Sequence, residues 1–136
     1  ASDLPVLATS HLYDGEVNRN ADRDMDGITF CDMPWTLDAD SPQQDLRQKN
    51  AAELKVHRGQ LQRFVALGVD AYQLVPLLPM LESRPYEHYR GETGKLSITE
   101  ELRVQRQLLW AQFTGGVPRL QEERVMEIDG EWQDTY

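Results

Sequence analysis

The segment from Gln60 to Glu82 constrains the fold more than any other part of this chain. Leu61, Phe64, Val65, Gly68, Tyr72 and Val75 recur at three- to four-residue spacing, which lines them up as one apolar stripe on a helix. A stripe of that kind needs cover, and Gly68 lets a neighbouring backbone come close to it. Pro76 and Pro79 predict a kink, or a restart as a second short helix over Leu77 to Leu81.

Strand-like segments flank this helix. Leu4 to Ser10 (LPVLATS) reads as a short buried strand, uncharged and partly β-branched. Gly27 to Leu37 (GITFCDMPWTL) reads as a second strand, with Pro34 placing its last part at a sheet edge or ending the pairing. A polar loop from His11 to Asp26 separates them. Ser41-Pro42-Gln43-Gln44 predicts a helix start: Ser41 as cap, Pro42 at the first helical position, Gln44 completing a capping box. That helix should run to about Lys55 or His57 near the surface, since its apolar face is mainly Leu46, Ala51 and Leu54. Gly91-Glu92-Thr93-Gly94 predicts a turn, and Lys95 to Thr99 alternates like a strand. Residues 100–113 have a helical composition and a false capping box, Ser97 with Glu100. Yet Val104, Leu108 and Trp110 would share one strand face, so pattern alone leaves both open. Gly115-Gly116 and Pro118 should end that element. Residues 119–136 read as an acidic tail, in which Asp129-Gly130 suits a tight hairpin turn as well as a frayed end.

Charge narrows the function classes. The 136 residues carry 14 basic and 23 acidic side chains, a formal net charge of −9. Phosphate contacts need cations, so nucleic acid is not expected as a partner, nor is direct docking on anionic lipid. The charge is uneven: −8 over residues 1–45, +3 over 46–90 and −4 over 91–136. The acidic stretch reads as a solvated surface or a docking face for a basic partner. No apolar run is expected to reach the ~18–20 residues of a membrane helix, and no signal-peptide pattern opens the chain. Cys31 stands alone, which excludes an internal disulfide, and its apolar setting predicts an inert thiol.

No set of residues predicts catalysis. Asp22-Arg23-Asp24-Met25-Asp26-Gly27 matches the first half of a calcium loop, but Met33 occupies the position where a bidentate Glu should clamp the ion. No metal and no cofactor are therefore expected. His11, His57 and His88 lie too far apart for a local metal motif. Neither a G-x-S-x-G elbow nor a phosphate-binding glycine loop is present.

Four segments carry a resemblance: LPVLATSHLYDG (4–15), MDGITFCDMPWTL (25–37), ALGVDAYQLVPLLPML (66–81) and GETGKLSITEELRVQRQLLWAQFTGGVP (91–118). In this order they resemble the C-terminal domain of the LpoA (LppC) family. These are outer-membrane lipoproteins that activate a class A penicillin-binding protein, the peptidoglycan synthase. The resemblance implies an α/β fold, the C-terminal portion of a two-lobed domain similar to type I periplasmic binding proteins. It implies that 1–26 end one lobe, 27–37 cross between lobes, 41–85 are helices of the other lobe, and 91–113 return, with 100–113 as strand. Residues 1–118 would be the domain part and 119–136 the tail. It further implies a non-enzymatic interaction module in cell-wall synthesis, on the periplasmic side of the outer membrane. The lipid anchor would lie outside these residues. The binding-protein likeness keeps an alternative open: a solute site for an amino acid or a small peptidoglycan-derived ligand. Tyr13, Asp32 and Trp35 are the candidate cleft-lining residues. Asp14, Glu16, Asp22, Asp24 and Asp26 are the candidate partner contacts. Part of a two-lobed domain leaves strand edges and helix faces uncovered, so self-association is expected as well.

Overall fold

A computed structural model of the chain describes residues 4–37, 41–54 and 59–121. The chain order is β1 (Leu7–Ala8), β2 (Thr29–Asp32), α1 (Pro34–Leu37), α2 (Gln44–Leu54), α3 (Gly59–Leu74) and α4 (Leu78–Ser83). Then follow β3 (Tyr89–Arg90), β4 (Lys95–Ile98), β5 (Val104–Gln107), β6 (Leu109–Thr114) and β7 (Val117–Leu120). Two sheets form. The first has the order β1-β2-β6-β7, and the second has the order β3-β4-β5. β1 runs parallel to β2, and every other pairing is antiparallel.

The first sheet carries an aromatic core. Tyr13, Phe30, Ala111 and Phe113 are buried together, with Ala8, Leu12, Met25 and Leu37 packed around them. Phe30 and Phe113 stack at 5.2 Å between centroids, and Tyr13 meets Phe113 edge-on at 6.1 Å. These are favourable arrangements for rings with a negative face and a positive edge. The second sheet packs against the end of α3 and against α4 through Leu74, Leu81, Leu96 and Ile98. A third cluster, Met33, Trp35 and Ala66, with Val65, Val69 and Leu108, sits between the two. It lies where the chain leaves the first sheet, at Met33 to Leu37, and where it comes back, at Leu108.

Several elements differ from expectation. The strand expected over Leu4 to Ser10 shrinks to Leu7–Ala8 and gives way to a 3-10 turn at Ser10–Leu12, and Leu4, Val6 and Leu7 are exposed. The second strand stops at Asp32. Pro34 opens the short helix α1, where its missing N–H costs nothing. Ser41 does not cap α2 through its side chain: its hydroxyl is buried without a hydrogen-bonded partner, and the Gln43 N–H donates instead to Glu92 Oε1 at 2.6 Å. Pro118 does not end the last element. Gly115-Gly116 turns the chain into β7, and Pro118 sits on that strand at the sheet edge, where a missing donor is tolerated. Of the strand expected over 100–113, residues 100–103 are instead a turn that joins β4 to β5; Val104–Gln107 and Leu109–Thr114 are strand, because sheet partners on two different sheets outweigh helix propensity. The helix end expected at Lys55 or His57 and the Asp129-Gly130 turn lie outside the described residues.

The helical segment divides as its prolines dictate, with a 3-10 turn at Val75–Leu77 between α3 and α4. Contrary to the sequence expectation, Gly59–Ser83 is long and apolar enough, by length and composition, to cross a membrane. In this fold it is tied down by polar groups instead. The face of α3 turned inward holds Gln62, Ala66, Asp70 and Leu74. The apolar stripe faces outward, with Leu61 66%, Phe64 66% and Tyr72 80% exposed.

Candidate functional site

The seam between the first sheet and the helices holds buried polar groups, Asp32 and Gln62 among them. Asp32, at the end of β2, is buried and forms a bidentate ion pair with Arg63 of α3. Arg63 Nη1 faces Asp32 Oδ1, and Nη2 donates to Asp32 Oδ2 at 2.7 Å. The same Nη2 donates to the carbonyls of Ser10 (3.0 Å) and Tyr13 (2.9 Å). Asp32 Oδ1 also accepts the Met33 N–H at 2.8 Å. The planar guanidinium is suited to this, since its five donors lie in one rigid fork.

Two turns further along the same inward face of α3, Asp70 accepts three short hydrogen bonds from the β3–β4 turn. They come from Glu92 N and Thr93 N at 2.7 Å each and from Thr93 Oγ1 at 2.6 Å. A Cβ on Gly91 would stand 2.6 Å from Asp70 Oδ2, so only glycine leaves room for this approach. The turn then reaches two further elements. Glu92 O accepts the Trp35 N–H at 3.0 Å, and Glu92 Oε1 caps α2. Asp70 was not singled out in the sequence as a functional residue. Its signal was an acid between apolar neighbours, GVDAY, on the helix whose other face is greasy.

Glu92 is the least satisfied member. Burial, above all, pushes its carboxyl above the ordinary 4.5, the nearby Asp70 charge adds to this, and the bond from Gln43 N–H and the Arg47 charge oppose it. Its Oε2 is buried without a partner, as is Ser41 Oγ. A carboxyl raised on folding holds its proton in the folded state at pH values where the unfolded chain has lost it. Stability from this group is therefore full below 4.5 and is lost as pH rises through the folded value. Glu92→Gln should remove that decline in a urea-unfolding series across pH, while Gln keeps the acceptor for Gln43 N–H. An unchanged slope would mean that other groups set the pH dependence.

A cavity of about 350 Å³ opens beside the seam. It is lined by Tyr13, Trp35, Thr36, Arg47, Gln48 and Gln62, among others. Arg47 Nη1 donates to Trp35 O at 2.9 Å. Burial and the carboxylates around it push the Tyr13 hydroxyl up to about 12, so it stays a proton donor. Of the three candidate cleft residues, Tyr13 and Trp35 meet here. Asp32 does not line the cavity; it is held in the Arg63 pair.

The acidic candidates all lie on the loop between β1 and β2, in two settings. Asp24 is exposed, as are Asp14 and Glu16, and Asp14 Oδ1 accepts the Glu16 N–H at 2.9 Å. Asp22 Oδ2 accepts from Asn18 N (3.1 Å), and Asp26 holds the β6–β7 turn by accepting from Gly115 N (3.0 Å) and Gly116 N (2.8 Å). Asp22 and Asp26 thus face separate backbone amides rather than one focus. Among the described residues, no group of three or more His, Cys, Asp or Glu is placed to hold a metal ion.

Helix-flanked sheets joined by a chain that crosses between them and returns define an α/β protein of the periplasmic-binding-protein-like class. A structure described as "a putative branched-chain amino acid ABC transporter" from Chromobacterium violaceum matches with a TM-score of 0.61 and 32% identity. The match covers 83% of this chain and 36% of that one. The chain belongs to the family described as "LppC putative lipoprotein", whose model matches residues 1–116. It is similar to the penicillin-binding protein activator LpoA of Haemophilus influenzae, 32% identical over 117 residues, 84% of this chain and 20% of that protein. The LpoA of Edwardsiella ictaluri is 30% identical over 113 residues, 83% of this chain and 16% of that protein. The solved C-domain of the Haemophilus influenzae protein, described as a regulator of PBP1A, superposes with a TM-score of 0.72 at 30% identity. That superposition covers 88% of this chain and 37% of the C-domain. The matches therefore span only 14–20% of the length of the curated relatives.

Proposed function

We propose that this chain is a non-enzymatic interaction module of a lipoprotein that activates a peptidoglycan synthase, a class A penicillin-binding protein. The place of action is the periplasmic side of the outer membrane. The observation that carries the reading is the match of residues 1–116 to a lipoprotein family whose relatives are named activators of a penicillin-binding protein. The chemistry agrees with it. The buried polar groups at the seam bond to one another and to backbone, which builds a scaffold and spends no group on catalysis. On this reading the first sheet belongs to one lobe, and α2–α4 with the second sheet belong to the other.

The acidic loop is the proposed contact. Exposed charges at a rim set association rate and salt dependence more than affinity. Asp26 is the wrong residue to test, since it braces the β6–β7 turn. Glu16→Lys with Asp24→Lys, in the complete lipoprotein, should slow association with the synthase by about tenfold at low salt and flatten its salt dependence. An unchanged rate and salt slope in stopped-flow or surface-binding kinetics would place the docking face elsewhere.

The cavity favours a second reading, a small-solute site in which Tyr13 and Trp35 flank a ligand carboxylate near Arg47. Calorimetric titration with free amino acids and peptidoglycan fragments tests it.

A further inference from the structure

We infer that the start of α3 is a clamp that fixes the acidic loop to the helical body, with Arg63 as its positioning residue. This rests on the docking role proposed for that loop and adds how the loop is held in place. The loop springs from the segment Ser10 to Gly15, and α3 takes three of the six backbone carbonyls there, those of Ser10, Tyr13 and Asp14. Arg63 Nη2 reaches Ser10 O and Tyr13 O, Gln62 Nε2 donates to Asp14 O at 2.8 Å, and Gly59 N donates to the same carbonyl. A side chain at Gly15 would overlap Gln62 Nε2, so the two segments are in direct contact. Asp32 completes the clamp from the sheet side by holding the guanidinium in one orientation.

Position along the chain gives the clamp its consequence. Asp14 and Glu16 begin immediately where the clamped carbonyls end, so the acidic charges are presented from an anchored base. The sheet and the helices also meet here over the buried Met33, Trp35 and Ala66. An opening motion between the two bodies would have to break the Arg63 fan, the Gln62 and Gly59 bonds and the Trp35–Glu92 bond together. Such a set separates cooperatively or not at all, and the module holds one fixed arrangement instead of swinging as a hinge.

Amide hydrogen exchange on the full 136-residue chain tests this without any synthase. Gly59 N and Trp35 N report the seam, while Gly27 N and Phe113 N, bonded within the first sheet, report the body. In Arg63→Ala the seam amides should exchange at least tenfold faster, with the sheet amides unchanged. Equal acceleration at all four sites would show only a loss of global stability, and no acceleration at the seam would show that Arg63 clamps nothing. Either result overturns the inference. Should Arg63→Ala fail to fold because Asp32 is left as a buried unpaired charge, the pair Arg63→Gln with Asp32→Asn removes both charges at similar volume and is read the same way. In the complete lipoprotein, a clamp variant should also slow synthase association. Loss of that effect with the exchange pattern intact would count against the docking role of the loop and leave the clamp standing.

Discussion

In light scattering, the isolated 136-residue chain should appear as a dimer or larger species. The cause is the outward face of α3, where Leu61, Phe64, Leu67, Tyr72 and Val75 are all more than half exposed. Burying each of the larger side chains is worth ~1.5–3 kcal/mol, so covering even three of them gives a strong drive to associate. Gly68 and Ala71 lie at the middle of the stripe, where a flat or curved partner surface can come close. Leu61→Ser with Phe64→Ser should restore a monomer, because both side chains point away from the buried face and contribute little to the fold itself. A clean monomer of the unaltered chain at high concentration would mean that this face needs no cover. Binding of the unaltered chain to lipid vesicles, with no self-association, would send the same stripe to a membrane, as the length and composition of Gly59–Ser83 permit.

Asp70→Ala should be among the most destabilising single substitutions in the chain, at about 3–5 kcal/mol. It leaves two buried backbone N–H groups and the Thr93 hydroxyl without their acceptor. Hydrogen bonds to a charged acceptor are worth ~1.5–3 kcal/mol each, and orphaned donors add a desolvation cost. Since single domains are stable by only ~5–15 kcal/mol, the loss should show as a large drop in the urea midpoint. Asp70→Asn keeps one carbonyl acceptor and should fall between. An Ala variant within ~1 kcal/mol of the parent would show that water replaces the carboxylate without penalty, and that the β3–β4 turn does not depend on it.

The family, the α/β class and the proline break between α3 and α4 were legible in the sequence. Each rests on local chemistry: motif order, apolar spacing and the missing N–H of proline. The strand character of 104–114 was legible only through the resemblance, because local propensity there argues for helix. Of the candidate cleft residues, Tyr13 and Trp35 both line the cavity. Asp32 was found in position but not in role, since its partner Arg63 lies 31 residues away. Arg63 has no periodic or motif signal of its own, and Asp70 and Glu92 lie within segments that carry the resemblance without a signal of their role. Their importance comes from pairing across long stretches of chain, and spacing along one segment carries no information about that.

What the sequence by itself determined is where helices and turns are possible and which stripe of α3 is apolar. Those properties depend on side-chain spacing and on the backbone limits of proline and glycine, which act within a few residues. Only the tertiary structure decided which way the stripe faces. The face with Gln62, Asp70 and Leu74 turns inward, and the charges of Arg63 and Asp70 are tolerated there because each finds partners across long stretches of chain, without which their burial would be costly.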